Sequence, residues 1–201
     1  MAGSVTPRAA HEGGRAGDDD AGDRLDDATL VARARDGDVT AFEQLVRRYQ
    51  APMYRLAVRM LASRSDAEDV VQEVFLIAWR RLADLRVNAA FVGWLYRTAT
   101  NRCLNVLRAR RPQVPLDQAI AESTVAATQP ERVSEIDAQL VALNRALQGL
   151  TPEKRACWLL REAHGRSYDE IAHIVGTSPA SVRGRIARAR AELVEVMGSW
   201  R

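Results

Sequence analysis

Lysine is nearly missing from this chain of 201 residues, because Lys154 is the only lysine and almost every other basic side chain is an arginine. A GC-rich genome explains this bias as readily as a preference for guanidinium groups at phosphates, and we favour the genomic explanation. The formal net charge is only +3. A nucleic-acid function therefore has to be argued from where the charges lie, since the total charge does not indicate one.

Long apolar runs are also missing. No stretch approaches the roughly 18 apolar residues that suggest a membrane span, and the N-terminus lacks the apolar segment of a signal peptide. Hydrophobic residues make up 47% of the chain and charged residues 27%, which is the composition of a soluble globular protein. We therefore expect a cytoplasmic protein.

Cysteine and histidine are scarce. Cys103 and Cys157 form no CxxC motif and have no neighbouring histidine, which argues against a metal site or a disulfide framework. We expect them to be two buried thiols. His11, His164 and His173 form no plausible catalytic grouping, so a small helical enzyme has little support. No metal, cofactor or small-molecule substrate is expected.

The chain divides into four segments by composition and periodicity. Residues 1–24 hold almost no large apolar side chains and are predicted to be a disordered tail. Residues 25–111 carry apolar residues at helical spacing and predict a compact four-helix unit. Residues 112–133 hold three prolines without periodicity and predict a flexible linker, and residues 134–201 predict a second helical domain. The predicted fold class is all-α, with two small helical domains.

Several short patterns predict where helices begin. Residues 65–68 read Ser-Asp-Ala-Glu, a capping box that would open a helix ending at about Leu82, and the next helix is expected from about Ala89. Residues 151–152 supply a threonine cap followed by a first-turn proline. Residues 167–170 are another capping box, and residues 178–179 are a serine cap followed by proline.

The segment from Ser167 to Leu193 predicts a helix-turn-helix. A short helix, a turn that contains Gly176 and a longer helix follow one another at the spacing of that motif. Five residues fall where the two helices must touch and the turn must be tight: Ile171, Ala172, Gly176, Val182 and Ile186. The motif indicates binding to duplex DNA.

The outward side of the second helix carries a spine of small residues: Ala180, Gly184 and Ala187. Small side chains let the backbone approach DNA closely, and Arg183 on one flank and Arg185 and Arg188 on the other can reach guanine edges or phosphates. Arg190 is explained equally well by a solvated helix end, where positive charge suits the helix dipole.

A second basic region precedes the linker. Six arginines and no acidic residue lie between Arg86 and Leu116, whereas residues 66–73 hold four acidic residues. On the helix expected from about Ala89, one side is apolar, and the other side carries an aromatic ring among amide and guanidinium groups: Trp94, Arg97, Asn101, Asn105 and Arg108. Stacking, charge and hydrogen bonds to base edges are what single-stranded nucleic acid requires. Trp94 is equally well explained by ordinary core packing.

These segments together resemble a known family. DATLVARARDGDVTAFEQLVRRY, DAEDVVQEVFLIAWRRL and FVGWLYRTATNRCLNVLRARR are similar to the sigma2 domain of extracytoplasmic-function sigma factors, in the sigma-70 family of bacterial RNA polymerase. LTPEKRACWLLREAHGRSYDEIAHIVGTSPASVRGRIARARAEL is similar to their sigma4 domain. Two departures stand out: Gly184 replaces a serine that is usual in the family's recognition helix, and the loop LRVNAA is only loosely like the family's.

The resemblance implies a promoter-specificity subunit that catalyses nothing. It implies that Asp69, Gln72 and Glu73, which share one helix face, bind the clamp coiled coil of the polymerase beta-prime subunit. Other implied partners are the beta flap, promoter DNA and an anti-sigma factor, and within the holoenzyme the protein would be associated with the nucleoid.

The resemblance also assigns the two promoter elements. The minus-ten element would be melted and read by the five residues of the Trp94–Arg108 surface, with Asn101 near the captured base. The minus-thirty-five element would be read through the recognition helix: Ser181, Arg183, Arg185 and Arg188.

The principal alternative is a stand-alone helix-turn-helix regulator that binds duplex DNA as a dimer through its N-terminal half. The VQEVF helix and the acid-free helix that carries Trp94 argue against it. A regulator of that kind binds DNA alone, whereas a sigma factor requires core polymerase.

Overall fold

The structure is a computed structural model that describes residues 25–110 and 135–198, with side chains from residue 142 onward in the second range. The predicted tail of residues 1–24 and the predicted linker of residues 112–133 lie outside the described residues. Within those residues the fold is helical and holds no strand, so the predicted all-α class is confirmed. The helices are α1 Asp27–Arg35, α2 Val39–Leu61, α3 Arg64–Arg81, α4 Phe91–Arg110, α5 Glu135–Gly149, α6 Pro152–Glu162, α7 Tyr168–Val175 and α8 Pro179–Gly198.

The N-terminal unit consists of α1 to α4. Asp26 caps α1, and the turn after it contains Gly37 at a φ of +96°, a backbone conformation that side chains with a Cβ rarely adopt. Asp38 then caps α2 by accepting a hydrogen bond from the Ala41 amide. The core consists of apolar residues at helical spacing, among them Leu30, Leu45, Met53, Leu56, Met60, Phe91 and Leu95. Two short 3-10 turns, Leu82–Asp84 and Asn88–Ala90, connect α3 to α4.

The prediction of a capping box at residues 65–68 is wrong by two residues. The cap of α3 is Ser63, whose Oγ accepts a hydrogen bond from the Asp66 amide at 3.3 Å, and Ser65 lies exposed in the first turn. The reason lies in the preceding turn. Ala62 adopts a left-handed conformation with φ 51° at the end of α2, so the chain reverses at once and Ser63 is the first residue free to cap.

The C-terminal unit consists of α5 to α8 and contains the helix-turn-helix. The predicted capping box of α7 is confirmed, because Ser167 Oγ accepts from the Glu170 amide and the Glu170 carboxylate accepts from the Ser167 amide. Gly176 ends α7 at a φ of +67°. Ser178 Oγ accepts from the Ser181 amide at the start of α8, as expected. The predicted contact residues are buried: Ile171, Ala172, Val182 and Ile186.

The two units lie against each other. Helix α4 packs on α7 and α6, and α2 packs on α6 and α5. The periodicity of the sequence did not predict these contacts, because they join residues that are far apart along the chain. None of the helices in the described part of the chain is long and apolar enough to cross a membrane.

Candidate nucleic-acid and partner interfaces

One exposed face of α4 brings together the five residues predicted to read single-stranded DNA. Arg97, Asn101, Asn105 and Arg108 are exposed, and Trp94 is half-buried with its ring stacked on Phe91 at a centroid distance of 6.4 Å. The spacing i, i+3, i+7 and i+11 puts the series from Trp94 to Asn105 along one side of the helix. Trp94 packs on the core and remains partly accessible, and its role at DNA stays a prediction.

The side chains of this α4 face differ in how they are held. Arg108 Nη1 donates to Asn105 Oδ1 at 2.8 Å, so this pair is linked. The side chains of Arg97 and Asn101 make no hydrogen bond with the residues whose side chains the structure describes, which are 25–110 and 142–198. The amide of Asn101 is therefore open to an incoming group that offers a donor, an acceptor or both.

A polar face of α3 carries Asp69, Gln72 and Glu73, and all three are exposed. Glu73 Oε1 lies 3.0 Å from Arg102 Nη1 of α4, an ion pair in which both side chains are about half accessible. Such an exposed pair contributes little to stability. It orients the Glu73 carboxylate and leaves Asp69 and Gln72 on the solvent side.

Two large apolar residues lie on the same face of α3 and were not among the predicted contacts. Leu76 is 55% exposed and Trp79 is 43% exposed, and the Trp79 ring packs on Phe42 at 4.9 Å. Their positions follow Gln72 and Glu73 by three to seven residues, so they continue the polar patch along the helix. Exposed apolar side chains beside polar ones are typical of a protein interface. The helical spacing was a usable signal, because neither residue falls on the buried stripe of Val70, Val74 and Ala78.

The N-terminal half of α8 carries the predicted residues for duplex DNA. Ser181 is exposed, and its Oγ accepts from the Ser178 hydroxyl at 3.0 Å. Arg183 is exposed, with its guanidinium carbon 5.7 Å from the centre of the Tyr168 ring. The guanidinium carbon of Arg161 also lies over this ring, 4.7 Å from its centre. Tyr168 therefore holds cationic groups from both α6 and α8, a contact that the sequence did not predict.

The other arginines of α8 lie against the C-terminal unit. Arg185 is half-buried beside the thiol of Cys157 on α6. Arg188 folds back over its own helix, where its Nη1 lies 3.5 Å from the position that a Cβ of residue 184 would take, an ordinary van der Waals distance. Arg190 Nη2 lies 2.6 Å from Glu162 Oε1, so this arginine is held in an ion pair.

The two thiols are buried, as expected, and neither is in a disulfide. Burial raises the pKa of Cys103 to about 12, and burial also raises the pKa of Cys157 even though Arg185 lies beside it. A thiol in this state is a poor nucleophile and a poor metal ligand. The described residues contain no group of histidine, cysteine and acidic side chains that could hold a metal ion.

Comparison with protein families gives two matches in the order of the two units. Residues 45–113 match the family described as sigma-70 region 2, and residues 140–193 match sigma-70 region 4. The chain is 37% identical over 177 residues to the ECF RNA polymerase sigma-E factor of Escherichia coli K12, covering 84% of this chain and 92% of that protein. The protein belongs to the extracytoplasmic-function sigma factors. The predicted family is confirmed.

Other relatives agree with this assignment. The RNA polymerase sigma-H factor of Pseudomonas aeruginosa is 36% identical over 173 residues, covering 82% of this chain and 90% of that protein. Among solved structures, CnrH in complex with the cytosolic domain of CnrY has a TM-score of 0.68 at 29% identity, covering 86% of this chain and 97% of that one.

A further solved structure shares the fold. The sigma factor RpoE of Bartonella quintana, in complex with the anti-sigma factor NepR, has a TM-score of 0.63 at 23% identity, covering 80% of this chain and 98% of that one.

This sigma factor binds RNA polymerase and directs it to promoters for the initiation of transcription. The alternative of a stand-alone helix-turn-helix regulator is not favoured. The relatives named above are sigma factors.

Proposed function

We propose that three separate surfaces divide the work of this sigma factor. The α3 face around Gln72 binds the clamp coiled coil of the beta-prime subunit, the α4 face around Asn101 reads and melts the minus-ten element, and α8 reads the minus-thirty-five element through Arg183. The proposal rests on the different chemistry of the three surfaces. The α3 face carries acidic and apolar groups, the α4 face carries an amide and a guanidinium group without hydrogen-bond partners, and α8 carries arginines that contact their own unit.

The chemistry of the α3 face suits a protein partner better than DNA. Asp69 and Glu73 would repel phosphates, whereas they complement a basic protein surface. Leu76 and Trp79 supply exposed apolar area next to them. Interfaces of this kind gain most of their affinity from a few buried aromatic and aliphatic side chains within a polar rim. We therefore add Leu76 and Trp79 to the three predicted contacts.

The α4 face suits an unpaired base. A base taken out of the stack needs an aromatic or cationic group against its face and hydrogen bonds to its edge. Trp94 and Arg97 provide the first, and the Asn101 amide provides both donors and an acceptor. Asn105 and Arg108 extend the surface toward the end of α4, where the guanidinium is suited to the neighbouring phosphates.

The recognition helix suits the major groove. Its small spine around Gly184 permits close approach, and Arg183 stands exposed beside it with the hydroxyl of Ser181 near the helix start. Arg188, which lies over Gly184, can extend toward a phosphate or a guanine edge when DNA approaches. Arg185 is a second, more buried candidate.

Further partners follow from the family. We propose that the C-terminal unit contacts the beta flap of the polymerase and that an anti-sigma factor controls the protein. Two related structures are complexes, one of CnrH with the cytosolic domain of CnrY and one of RpoE with the anti-sigma factor NepR. We propose that the protein acts in the cytoplasm, is associated with the nucleoid within the holoenzyme, and catalyses no reaction of its own.

Core binding tests the assignment of the α3 face. The double variant Gln72→Ala/Glu73→Ala removes two polar groups from the centre of the face, and we expect about a tenfold loss in affinity for core polymerase, since polar contacts at an interface contribute about 1 to 2 kcal/mol together. The measurement is titration of labelled protein with core polymerase. The matched control is Glu43→Ala/Gln50→Ala, which makes the same chemical change at exposed residues of α2. Equal affinity of the two double variants would place the docking face elsewhere.

A further inference from the structure

A group of basic side chains lies where the C-terminal unit meets α2, and we call it the junction cluster. It consists of Arg55 and Arg59 of α2 and of His164 and Arg166 in the turn before α7. Arg55 and Arg59 are four residues apart, so they lie on the same side of their helix. None of the three surfaces proposed above includes these residues.

Tyr96 of α4 holds the two C-terminal members of the junction cluster in place. Its Oη lies 3.1 Å from His164 Nδ1, and the two rings meet edge to face at 5.3 Å. The guanidinium carbon of Arg166 lies 4.4 Å from the centre of the same ring. The charges of Arg55 and Arg59 act on the imidazole from α2, since burial and then these two arginines and Arg166 lower the pKa of His164 to about 4. Four basic groups therefore converge at one place.

The junction cluster holds more positive charge than the described residues neutralise. Arg166 Nη1 pairs with Glu170 Oε1 at 3.2 Å. The side chains of Arg55 and Arg59 make no hydrogen bond or ion pair with any residue whose side chain the structure describes. Three guanidinium groups therefore share one carboxylate. Like charges held close together repel, and the repulsion is greatest where burial limits screening by water, so a bound anion would stabilise the cluster.

Two buried nitrogens of the junction cluster have no hydrogen-bond partner in the described part of the chain: His164 Nε2 and Arg166 Nε. The Nε of an arginine is always a donor. When Nδ1 of His164 accepts from the Tyr96 hydroxyl, the proton of the ring lies on Nε2, which is then a donor as well. A buried donor without an acceptor destabilises a protein. An oxygen acceptor at this place would satisfy both nitrogens.

The charges and the donors of the junction cluster favour a phosphate group with free oxygens. Guanidinium groups bind phosphate and carboxylate oxygens with charge-assisted hydrogen bonds. A terminal phosphate carries roughly two negative charges at pH 7.5, so it matches the unneutralised charge of Arg55 and Arg59 better than a carboxylate does. A phosphate of a nucleic-acid backbone carries one charge and is joined to the chain on both sides, which leaves fewer oxygens for donors that come from two units.

We propose that the junction cluster is a binding site for a terminal phosphate group, either inorganic phosphate or the end phosphate of a nucleotide. Arg55 and Arg59 neutralise its charge from α2, and His164 Nε2 and Arg166 Nε donate to its oxygens from the turn before α7. The proposal goes beyond the proposed function, because it requires neither polymerase nor promoter DNA.

Calorimetric titration of the full-length protein with sodium phosphate at pH 7.5 and low ionic strength tests the site. We expect saturable binding of one phosphate per protein with a dissociation constant of about 1 mM or lower. Heat no larger than that of sodium chloride at the same ionic strength would overturn the proposal.

Titrations with AMP and adenosine separate the two sources of the phosphate group. If AMP binds at least as tightly as inorganic phosphate, the site takes the end phosphate of a nucleotide, and weaker binding of AMP assigns the site to inorganic phosphate. Adenosine lacks the phosphate and should not bind. Binding of adenosine as tight as that of AMP would show that the phosphate is not what the site recognises.

A double variant tests the two arginines of α2. Arg55→Gln/Arg59→Gln removes both charges, and we expect the affinity for phosphate to fall roughly tenfold or more. The matched control Arg64→Gln/Arg80→Gln removes the same charge from two exposed arginines of α3 and should bind phosphate as wild type does. Circular dichroism checks that both variants remain folded. An equal loss in the two variants would mean that phosphate responds only to the net charge of the protein, and the site would be rejected.

The imidazole of His164 gives a second readout. The groups that face it are Tyr96 of α4, Arg55 and Arg59 of α2 and Arg166 of its own turn. Phosphate bound at Nε2 favours the protonated ring, so saturating phosphate should raise the pKa of His164 by about one unit or more. Proton NMR follows the imidazole signals as the pH is lowered from 8, and His164→Gln identifies the signal among the three histidines. A pKa that does not change in saturating phosphate would contradict the proposed contact.

Competition with DNA decides whether the junction cluster instead binds a nucleic-acid backbone. A short duplex without promoter sequence is added to the protein saturated with phosphate, and the His164 signal is followed. We expect the signal to stay at its phosphate-bound position. Displacement of phosphate by the duplex would assign the cluster to nucleic acid and overturn the proposal.

Discussion

Helices α4 and α8 both present basic side chains to solvent, but they hold them in different ways. On α8 three arginines have a partner within their own unit: Arg183 on the Tyr168 ring, Arg185 beside Cys157 and Arg190 in an ion pair with Glu162. Arg188 lies over Gly184 of its own helix. On α4, Arg97 and Asn101 are exposed and make no such contact with the described residues. Other arginines of α4 do have partners: Arg102 pairs with Glu73, Arg108 donates to Asn105 and Arg110 donates to the Leu61 carbonyl. The difference between the helices is therefore confined to Arg97 and Asn101, whose side chains are available.

The difference fits two kinds of DNA. A duplex presents a fixed pattern of donors and acceptors in its major groove, so arginines that are already ordered lose less conformational entropy on binding. An extruded base enters from solvent and needs groups that can close around it. The comparison therefore predicts that α4 residues act in strand opening and that α8 residues act in binding to closed duplex.

Substitution of Asn101 should have the largest effect, and it tests most directly whether α4 acts in strand opening. Unstacking a base costs a few kcal/mol, and the hydrogen bonds of Asn101 to the base would offset part of this cost. Because Asn101→Ala removes them, we expect open-complex formation to become less favourable by about 2 to 3 kcal/mol. Core binding and closed-complex formation should be nearly unchanged. The measurement is permanganate reactivity of thymines in the minus-ten region.

A template that is mismatched in the minus-ten region provides the control for Asn101→Ala. Its opening cost is removed in advance, so the variant should recover on it. Asn144→Ala, an exposed asparagine of α5, should open promoters as wild type does. If Asn101→Ala lost thermal stability and core binding together, the residue would be structural, and normal melting by a stable variant would remove Asn101 from the site.

The α8 arginines should show a smaller effect that is confined to duplex binding. Arg183→Ala should weaken minus-thirty-five binding by about 1 to 3 kcal/mol if the guanidinium contacts a base, or by less with a shallower salt dependence if it contacts only phosphate. Arg185→Ala should have the smaller effect of the two, because its side chain is half-buried beside Cys157. The measurement is promoter occupancy of holoenzyme at several salt concentrations.

Arg190→Ala is the matched control for this pair of substitutions, since it also removes an arginine of α8 but one that Glu162 already holds. It should reduce occupancy less than Arg183→Ala does. Equal occupancy by Arg183→Ala and wild type at physiological salt would show that this flank of α8 is not part of the recognition surface.

The local part of this structure could be predicted from the sequence. Helix periodicity located the buried stripe of α8 at Val182 and Ile186, and cap chemistry located the start of α7 at Ser167, because both depend on residues within a few positions of each other. The same reasoning failed at α3, where the turn at Ala62 moved the cap to Ser63. The local sequence pattern alone does not decide between Ser63 and Ser65, two possible caps that lie two residues apart.

The non-local part could not be predicted. The contacts of Tyr96 with His164 and of Arg155 with Met60 join residues 68 and 95 positions apart, and no sequence period links them. The sequence therefore indicated only that His164 belongs to no catalytic grouping, and it did not predict a contact with Tyr96. Leu76 and Trp79 were missed for another reason: their spacing does separate them from the buried stripe of α3, but only polar residues were considered on that exposed face.

The smallest expected effect concerns Tyr168, which we interpret as a positioning residue for Arg183. A cation over an aromatic ring at an exposed site contributes about 0.5 to 1 kcal/mol, so Tyr168→Leu should weaken minus-thirty-five binding by about two- to fivefold. Tyr168→Phe keeps the ring and should bind as wild type. A purely structural role predicts instead that binding follows thermal stability, which circular dichroism measures for both variants.

A double-mutant cycle decides whether Tyr168 acts through Arg183. Once Arg183 is replaced by alanine, the ring has no guanidinium of α8 left to hold, so Tyr168→Leu should have almost no further effect on binding. Arg161 also lies over the Tyr168 ring, at 4.7 Å, and it loses this contact in Tyr168→Leu whether or not Arg183 is present. If the losses in binding are additive, Tyr168 supports the helix-turn-helix as a whole and does not act through Arg183. In that case Arg183 of α8, like Asn101 of α4, is not positioned before DNA binds.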